Sequence, residues 1–154
     1  SGLIGQYAHG NEPSHHVIHL YNYVNRPWRT QELVDSVYRS QYANSVDGLS
    51  GNEDCGQMSA WYVLNSMGFY QVCPGKPVYS IGRPAFDKAV INLPEDKTFS
   101  IIVKNNSKEN KYIESISLNG KSLDTPFFNH QDIANGGTME ISMTDKPNNK
   151  THIP

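Results

Sequence analysis

Residues 51–63 read Gly51-Asn52-Glu53-Asp54-Cys55-Gly56-Gln57-Met58-Ser59-Ala60-Trp61-Tyr62-Val63. This stretch passes from a glycine-rich polar loop with two adjacent carboxylates into a segment with helical spacing of its apolar residues. It predicts a helix over residues 57–67. The side chains expected to be buried are Met58, Trp61, Tyr62 and Leu64. Gly68 is the expected C-terminal stop, because glycine adopts the left-handed backbone conformation without steric cost.

Residues from about 13 to 67 read as helical, apart from a loop rich in Gly, Ser, Asn and Asp at residues 44–54. Pro13 suits a first helical turn, where its missing N–H is harmless. The apolar face of this first helix is expected to be Val17, Leu20, Tyr21 and Val24. Residues 26–28 break the pattern, and Thr30 is the predicted N-cap of a second helix. The apolar stripe of the second helix is expected to be Leu33, Val34, Val37 and Tyr38.

Downstream of Gly68 the period changes to that of short strands between proline and glycine turns. The predicted strands are residues 69–72, 78–81, 89–92, 98–104, 112–118, 121–123 and 138–143. Asn119-Gly120 predicts a type I′ hairpin turn. We therefore predict an α+β fold, with a helical part at residues 1–72 and a small antiparallel β-domain at residues 73–154. The polar tail from residue 145 onward is expected to fray.

The bulk composition excludes several classes of function. The 154 residues include thirteen basic and fifteen acidic side chains, for a net charge of -2. This balance argues against nucleic acid or an anionic membrane as the partner. No apolar run reaches the ~18 residues of a membrane span, and no signal sequence is expected at Ser1. Cys55 and Cys73 are too few for a disulfide framework, and no CxxC pair indicates zinc.

The first segment that concentrates polar groups is residues 9–16, His9-Gly10-Asn11-Glu12-Pro13-Ser14-His15-His16. Asn11 and Glu12 place side-chain oxygens of the type that Ca²⁺ prefers beside a helix start. The alternative is that Asn11 caps the helix and Glu12 complements its dipole. His15 and His19 have a spacing that suits zinc, but His16 stands where an HExxH motif needs glutamate. We expect both histidines on the helix surface or lining a pocket.

The second segment is the loop of residues 51–56. Glycosidases need one carboxylic acid and one carboxylate across the sugar, and Glu53 and Asp54 supply carboxyl groups ahead of the aromatic Trp61 and Tyr62. The alternative is that Asp54 caps the third helix and Glu53 is solvated. The loop matches neither an EF-hand nor a phosphate loop. Cys55 has no adjacent histidine base, which argues against a catalytic thiol.

Both segments resemble glycoside hydrolase family 92. The similarity continues through Tyr21-Asn22-Tyr23, Pro27-Trp28, Gly68-Phe69-Tyr70, Val72-Cys73-Pro74-Gly75 and Tyr79-Ser80-Ile81-Gly82, and it covers at least residues 5–93. Members of that family are inverting, calcium-dependent exo-α-mannosidases with a β-sandwich followed by an (α/α)₆ barrel. The resemblance implies that residues 1–72 are the last barrel helices and that residues 73–154 are a C-terminal β-rich domain.

The resemblance also implies roles for single residues. Asp54 matches the general base, which takes a proton from the attacking water. Asn11 and Glu12 match part of a Ca²⁺ site. Substrate contacts are implied for three residues: His9, Asn52 and Glu53. Position 52 carries a second aspartate in some members, and an amide there can orient water but cannot remove its proton. The general acid is a glutamate expected upstream of Ser1, so this chain alone is expected to be inactive.

The implied substrates are α-mannosides of N-glycans, with an α-1,2 linkage favoured. The implied partner is the remainder of the parent polypeptide, in the periplasm of a bacterium or secreted to its surface. The alternative function is a non-catalytic carbohydrate-binding or structural β-module, for which Phe127 and Phe128 are the candidate aromatic platform. The sequons at Asn105 and Asn149 matter only in a eukaryotic secretory host.

Overall fold

The computed structural model describes residues 2–148, and its helices lie mainly in the first half of the chain. The 3₁₀ helices are Glu12–Ser14 and Val17–Val24, and the α-helices are α1 (Pro27–Gln41), α2 (Gln57–Met67) and α3 (His130–Ala134). The strands are β1 (Leu3–Ile4), β2 (Tyr7–Ala8), β3 (Phe69–Tyr70), β4 (Val78–Ile81), β5 (Lys88–Asn92), β6 (Thr98–Lys104), β7 (Tyr112–Leu118), β8 (Lys121–Ser122), β9 (Phe127–Asn129) and β10 (Gly137–Thr144). The sequon at Asn149 and the end of the predicted frayed tail lie outside the described residues.

Helix α2 has the predicted bounds, and Gly68 ends it with a φ of 102°. The Gly68 N–H donates to the carbonyls of Leu64 and Asn65, which satisfies groups that the helix leaves unpaired. Met58 and Trp61 are buried as predicted, whereas Tyr62 and Leu64 are only partly buried.

The predicted first helix is wrong in type and in orientation. Residues 17–24 form a 3₁₀ helix, and the face that it buries is not the predicted one. The interior side chains are Ile18, His19 and Asn22. Three of the residues expected inside are exposed: Val17 (40%), Leu20 (42%) and Val24 (61%).

Helix α1 begins at Pro27, earlier than predicted, because proline occupies the first turn without losing a hydrogen bond. Thr30 is therefore inside the helix and not its N-cap. Its hydroxyl donates to the Ile18 carbonyl over 3.0 Å, which ties α1 to the 3₁₀ helix before it. Val34 and Val37 are fully buried, as the predicted apolar stripe requires.

The second half of the chain is built around a five-stranded sheet in the order β5-β6-β10-β7-β8. Strands β4, β6 and β7 have the predicted bounds. The expectation of a purely antiparallel domain is corrected, because β10 pairs parallel with β6 and antiparallel with β7. Strands β6 and β7 run in opposite directions, so a strand inserted between them must run parallel to one of them.

Asn119 and Gly120 both have positive φ, at 51° and 77°, and join β7 to β8 as the predicted hairpin turn requires. A second sheet has the order β3-β4-β9, and β1 pairs with β2. Strands β1, β2 and β9 and helix α3 were not predicted from the sequence. They are short elements that depend on tertiary pairing more than on local pattern.

Two apolar clusters fill the interior, one among the strands and one where Trp61 meets Ile18, Val34 and Val37. The helical and β-rich parts are tied together by polar contacts. The Asp35 carboxylate lies 3.3 Å from Arg83 Nε, and the Ile113 N–H donates to Gln31 Oε1 over 3.0 Å. The β3-β4-β9 sheet spans the predicted boundary between residues 72 and 73, and that boundary stays a prediction.

Candidate active site

The two polar segments of the sequence meet at their glycines. Gly51 has a φ of +90°, and a β-carbon built there would lie 2.8 Å from the Gly10 carbonyl oxygen. Only a residue without a side chain permits this approach. The contact brings the loop ahead of α2 against the segment that carries Asn11 and Glu12.

The loop ends in three consecutive left-handed residues. The φ angles are 51° for Asp54, 57° for Cys55 and 93° for Gly56. Residues with a β-carbon rarely adopt this conformation, and it persists only where the surrounding structure enforces it. The loop therefore presents Asp54 in one defined backbone geometry.

Asp54 is exposed and does not cap α2. The N-cap residue is Gly56, and no side chain of that residue caps the helix. The carboxylate that reaches the helix belongs to Glu53, whose Oε1 accepts the Ser59 N–H over 3.1 Å. The alternative of a capping Asp54 beside a solvated Glu53 is therefore wrong, because the two side chains have the opposite arrangement.

The Asp54 carboxyl is paired with the Glu12 carboxyl. A hydrogen bond with Glu12 is the largest cause that raises the pKa of Asp54, followed by desolvation and by the negative charges of Glu12 and Glu53. His15 acts in the opposite direction. Neighbouring carboxyl groups favour retention of a proton or the binding of a cation, because either one reduces the repulsion between like charges.

His9 lies in the interior and offers no ring atom to a ligand. It is fully buried, Tyr7 Oη lies 2.8 Å from its Nδ1, and Tyr42 Oη lies 2.7 Å from its Nε2. The Tyr42 hydroxyl donates to the Met58 carbonyl over 2.9 Å, so it accepts from His9. The ring also meets Trp61 edge-on at a centroid distance of 4.5 Å. The expected direct sugar contact by His9 conflicts with this burial.

His15 and His19 are likewise fully buried, so the expected surface or pocket-lining positions are wrong. His15 Nε2 donates to the His9 carbonyl over 2.9 Å, and Gln57 Nε2 donates to His15 Nδ1 over 3.1 Å. His19 Nε2 donates to Asn65 Oδ1 over 2.8 Å. These ring nitrogens are committed to hydrogen bonds, and this excludes the pair as a zinc site in this fold.

Burial lowers the pKa of His9 to about 3 and that of His19 to about 4. A neighbouring histidine lowers the pKa further in each case, whereas the hydrogen bond that His19 donates to Asn65 opposes the shift of His19. Both rings are therefore neutral at physiological pH. They form a polar interior behind α2, because His9 packs against Trp61 and His19 bonds to Asn65 in the same helix.

A groove of about 440 Å³ lies beside the carboxyl pair. Its lining includes Glu12, Gln57 and Tyr70. Gln57 Nε2 also donates to the Tyr70 hydroxyl over 3.3 Å. Sequence reasoning missed Gln57 and Tyr70. The position of Gln57 in the first turn after the glycine-rich loop was the available signal.

The two aromatic residues expected to hold a sugar ring, Trp61 and Tyr62, do not line one common surface. Trp61 is fully buried, and its Nε1 donates to the His15 carbonyl over 3.1 Å. Tyr62 lines a separate groove of about 490 Å³ with Tyr38 and Tyr42. Of the two phenylalanines expected as a platform in the β-rich part, Phe128 is buried, and the partly buried Phe127 packs with its ring centroid 4.7 Å from that of Tyr23.

Asn11 and Glu12 are exposed, and Asn11 makes no side-chain capping bond. No salt bridge within residues 2–148 involves Glu12, Glu53 or Asp54. Anionic oxygens without a basic partner fit a hard cation such as Ca²⁺. Within the same residues, however, no three His, Cys, Asp or Glu side chains converge to hold a metal alone. The residues present fit a part of a calcium site.

Cys55 and Cys73 are both free and exposed, so they form no bridge. No helix among residues 2–148 is long and apolar enough to cross a membrane.

Comparison with known proteins identifies the family of this chain. The sequence matches the glycosyl hydrolase family 92 catalytic domain over residues 1–145. An α-mannosidase of family GH92 from Bacteroides thetaiotaomicron superposes with a TM-score of 0.94 at 40% identity, covering 99% of this chain and 21% of that one. A structure of that mannosidase with mannoimidazole gives a TM-score of 0.93 at 41% identity, over 97% of this chain and 20% of that one.

The family GH92 inverting mannosidase from the same organism superposes with a TM-score of 0.89 at 43% identity, over 96% of this chain and 20% of that one. An uncharacterized secreted glycosidase from Arthroderma benhamiae is 35% identical over 137 residues, which is 87% of this chain and 18% of that protein. The chain thus spans about a fifth of the length of these relatives.

The matches in fold and in sequence make this chain part of a glycoside hydrolase. It belongs to glycosyl hydrolase family 92.

Proposed function

We propose that this chain is the base-bearing, C-terminal part of an exo-acting α-mannosidase that removes terminal mannose from glycans with inversion. The observation that carries the proposal is the exposed Asp54 carboxyl, held on a left-handed loop beside Glu12. Neighbouring carboxyl groups raise its pKa, which brings a general base closer to the operating pH. The α-mannosidases that it matches support the substrate class.

In this proposal Asp54 takes a proton from a water molecule as the water oxygen attacks the anomeric carbon. The bond to the leaving oxygen breaks, and that oxygen receives a proton from a general acid contributed by the parent polypeptide. An inverting enzyme holds the two carboxyl groups about 6.5–9.5 Å apart to leave room for the water. Glu53 is directed towards α2, and Glu12 is assigned to the Ca²⁺ site, so the proposal takes the second carboxyl from the rest of the parent polypeptide.

Asn11 and Glu12 contribute to a Ca²⁺ site that other parts of the parent polypeptide complete. Calcium there supplies a positive charge and coordination for sugar hydroxyls. Asn52 is exposed next to the carboxyl pair and orients water or sugar hydroxyls through its amide. The groove lined by Gln57 and Tyr70 lies on the same side of α2 as Glu12 and suits part of a glycan.

The remaining features of the proposal follow from the chain's relation to its relatives. Residues 1–72 form the last helices of an (α/α)₆ barrel, and the parent enzyme is periplasmic or secreted, in keeping with the secreted relative. The α-1,2 linkage is the one that the resemblance in the sequence favours. The chain alone is inactive, because loss of general acid assistance costs about 10²–10⁴-fold before the lost pocket is counted.

The test is Asp54→Asn in the full-length parent enzyme with an α-1,2-linked mannobiose. The amide cannot accept the proton, so kcat is expected to fall by about 10²–10⁴-fold. Proton NMR of the first-formed product is expected to show β-mannose. Full turnover by Asp54→Asn would refute the assignment of the base, and α-mannose as the first product would refute inversion.

A further inference from the structure

We infer that Glu53 is a positioning residue, which fixes the direction of the Asp54 carboxyl through its hydrogen bond to the start of α2. The inference rests on the proposed function, in which Asp54 is the base. It gives Glu53 a role distinct from the substrate contact that the family resemblance implies.

The first argument is the pattern of hydrogen bonds. The opening N–H groups of α2 have no partners within the helix. The Glu53 carbonyl accepts the Met58 N–H over 3.2 Å, and the Asp54 carbonyl accepts the Gln57 N–H over 3.2 Å. The Glu53 carboxylate accepts the Ser59 N–H over 3.1 Å. The first bond of the helix itself is formed only at Ala60, whose N–H donates to the Gly56 carbonyl.

The second argument is the conformation that this pattern enforces. Asp54 and Cys55 are both left-handed, and neither is glycine. Such residues return to ordinary backbone regions unless several contacts prevent it. Glu53 supplies two of these contacts, one from its carbonyl and one from its carboxylate, on the N-terminal side of the strained pair.

The third argument is the contrast between the adjacent carboxylates. Glu53 is partly buried, and its Oε2 is shielded from solvent without a hydrogen-bond partner among the described residues. Asp54 is exposed. A carboxylate at a helix N-terminus is favoured by the helix dipole, which compensates this burial. Glu53 is therefore oriented by α2, and Asp54 is directed away from it.

The position and chemistry of the side chain suggest a graded series of variants. Glu53→Ala removes the acceptor, and Glu53→Asp shortens the side chain by one methylene so that it no longer reaches Ser59. Glu53→Gln removes the charge but keeps an oxygen acceptor. If Glu53 acts through its acceptor, Gln rescues most of the function that Ala loses. If it acts through its charge on sugar or metal, Gln and Ala are equally impaired.

The experiment compares these variants with Asp54→Asn in the full-length parent enzyme. We expect Glu53→Ala and Glu53→Asp to lower kcat by about 10²-fold with little change in KM, since displacement of a catalytic group by 1 Å has that effect. Glu53→Gln is expected to lose less than about 10-fold, because an uncharged acceptor forms a weaker bond. Circular dichroism and thermal melting check that each variant is folded.

A second measurement does not depend on turnover. Hydrogen exchange at the Ser59 amide, followed by mass spectrometry of peptides spanning α2, is expected to accelerate in Glu53→Ala and to stay slow in Glu53→Gln. An unchanged kcat in Glu53→Ala would overturn the inference, and so would equal losses of kcat in Glu53→Ala and Glu53→Gln. In either case, a loss of activity in Asp54→Asn would still support Asp54 as the base. An active Asp54→Asn would overturn the proposed function itself.

Discussion

The Glu12 carboxyl is a close neighbour of the Asp54 carboxyl and acts on its pKa, although the two residues belong to segments on either side of α1. Glu12 is the largest cause of the raised pKa of Asp54. The pair joins the segment proposed to bind metal to the residue proposed as base. Binding of a metal ion by the segment that carries Glu12 is therefore expected to change the protonation of Asp54.

Glu12→Gln is expected to lower the pKa of Asp54, because it removes a negative charge and provides an amide that can donate to the carboxylate. Carbon-detected NMR titration of the Asp54 side chain in calcium-free buffer measures the change. Glu95→Gln, which alters an exposed residue paired with Lys97, is the matched control and should leave Asp54 unaffected. An unchanged Asp54 titration in Glu12→Gln would show that the carboxyl pair does not exist in solution.

Gly51→Ala is expected to disturb the site more than the strain of placing an alanine at positive φ would by itself. Its β-carbon would meet the Gly10 carbonyl oxygen at 2.8 Å, so one of the two polar segments must move. We expect a loss of thermal stability together with a loss of mannosidase activity in the parent enzyme. Denaturation and kcat measurements report the two effects separately.

The control for that substitution is Gly75→Ala. Gly75 has a φ of +88°, close to the +90° of Gly51, but nothing lies within 4 Å of its added β-carbon. Both variants pay the backbone strain of about 1 kcal/mol or more, and only Gly51→Ala adds the clash. Equal stability and activity of the two variants would contradict the close approach of Gly51 to Gly10.

Local signals in the sequence were sufficient for α2 and for three strands. In α2 the glycine-rich loop, the apolar spacing and Gly68 all indicate the same bounds. The same reasoning failed for residues 17–24, where it placed Val17 and Leu20 inside. Apolar spacing alone could not show that His19 and Asn22 are buried and form hydrogen bonds with Asn65, Ser80 and the Ile81 carbonyl.

The site was predictable in composition but not in arrangement. The sequence indicated that Glu53 and Asp54 matter, but not that the former binds the helix and the latter faces solvent. It could not place Glu12 against Asp54, because that pairing depends on the Gly10–Gly51 contact between distant segments. The parallel pairing of β10 with β6 is likewise a property of strand order and not of local pattern.

Asp35→Ala is expected to destabilise the chain by about 3–5 kcal/mol, the cost of leaving a buried charge without its partner. The side chains of Asp35 and Arg83 are only 8% and 9% exposed, and their ion pair joins α1 to the loop after β4. The 3.3 Å contact at Arg83 Nε lacks good hydrogen-bond alignment, so the effect is electrostatic more than directional. Urea denaturation measures the change.

Glu140→Ala is the control for the buried pair. It breaks the ion pair with Lys104, whose side chains are 43% and 55% exposed, and should cost no more than about 1 kcal/mol. A double replacement of Asp35 and Arg83 by leucine should cost less than Asp35→Ala, because it leaves no buried charge unpaired. Similar losses for Asp35→Ala and Glu140→Ala would show that the Asp35–Arg83 pair does not stabilise the junction.

The stability of the chain is expected to fall in acid because of its buried histidines. The pKa of His19 is about 4 in the folded state, below the ordinary 6.5, owing first to burial. Between these two values the unfolded chain binds a proton that the folded chain excludes, so the free energy of unfolding decreases as the pH falls. The contribution is complete above pH 6.5 and is lost progressively towards pH 4. For His19 alone the loss is about 3 kcal/mol, at about 1.4 kcal/mol per unit of pKa, and His9 adds to it in the same direction.

Urea denaturation of the purified chain at pH 7.5, 5.5 and 4.5 tests the prediction. His130→Gln, which changes an exposed histidine, should leave this pH dependence in place. A free energy of unfolding that stays constant over this range would mean that the buried rings titrate normally, and the polar interior behind α2 would then not exist as described.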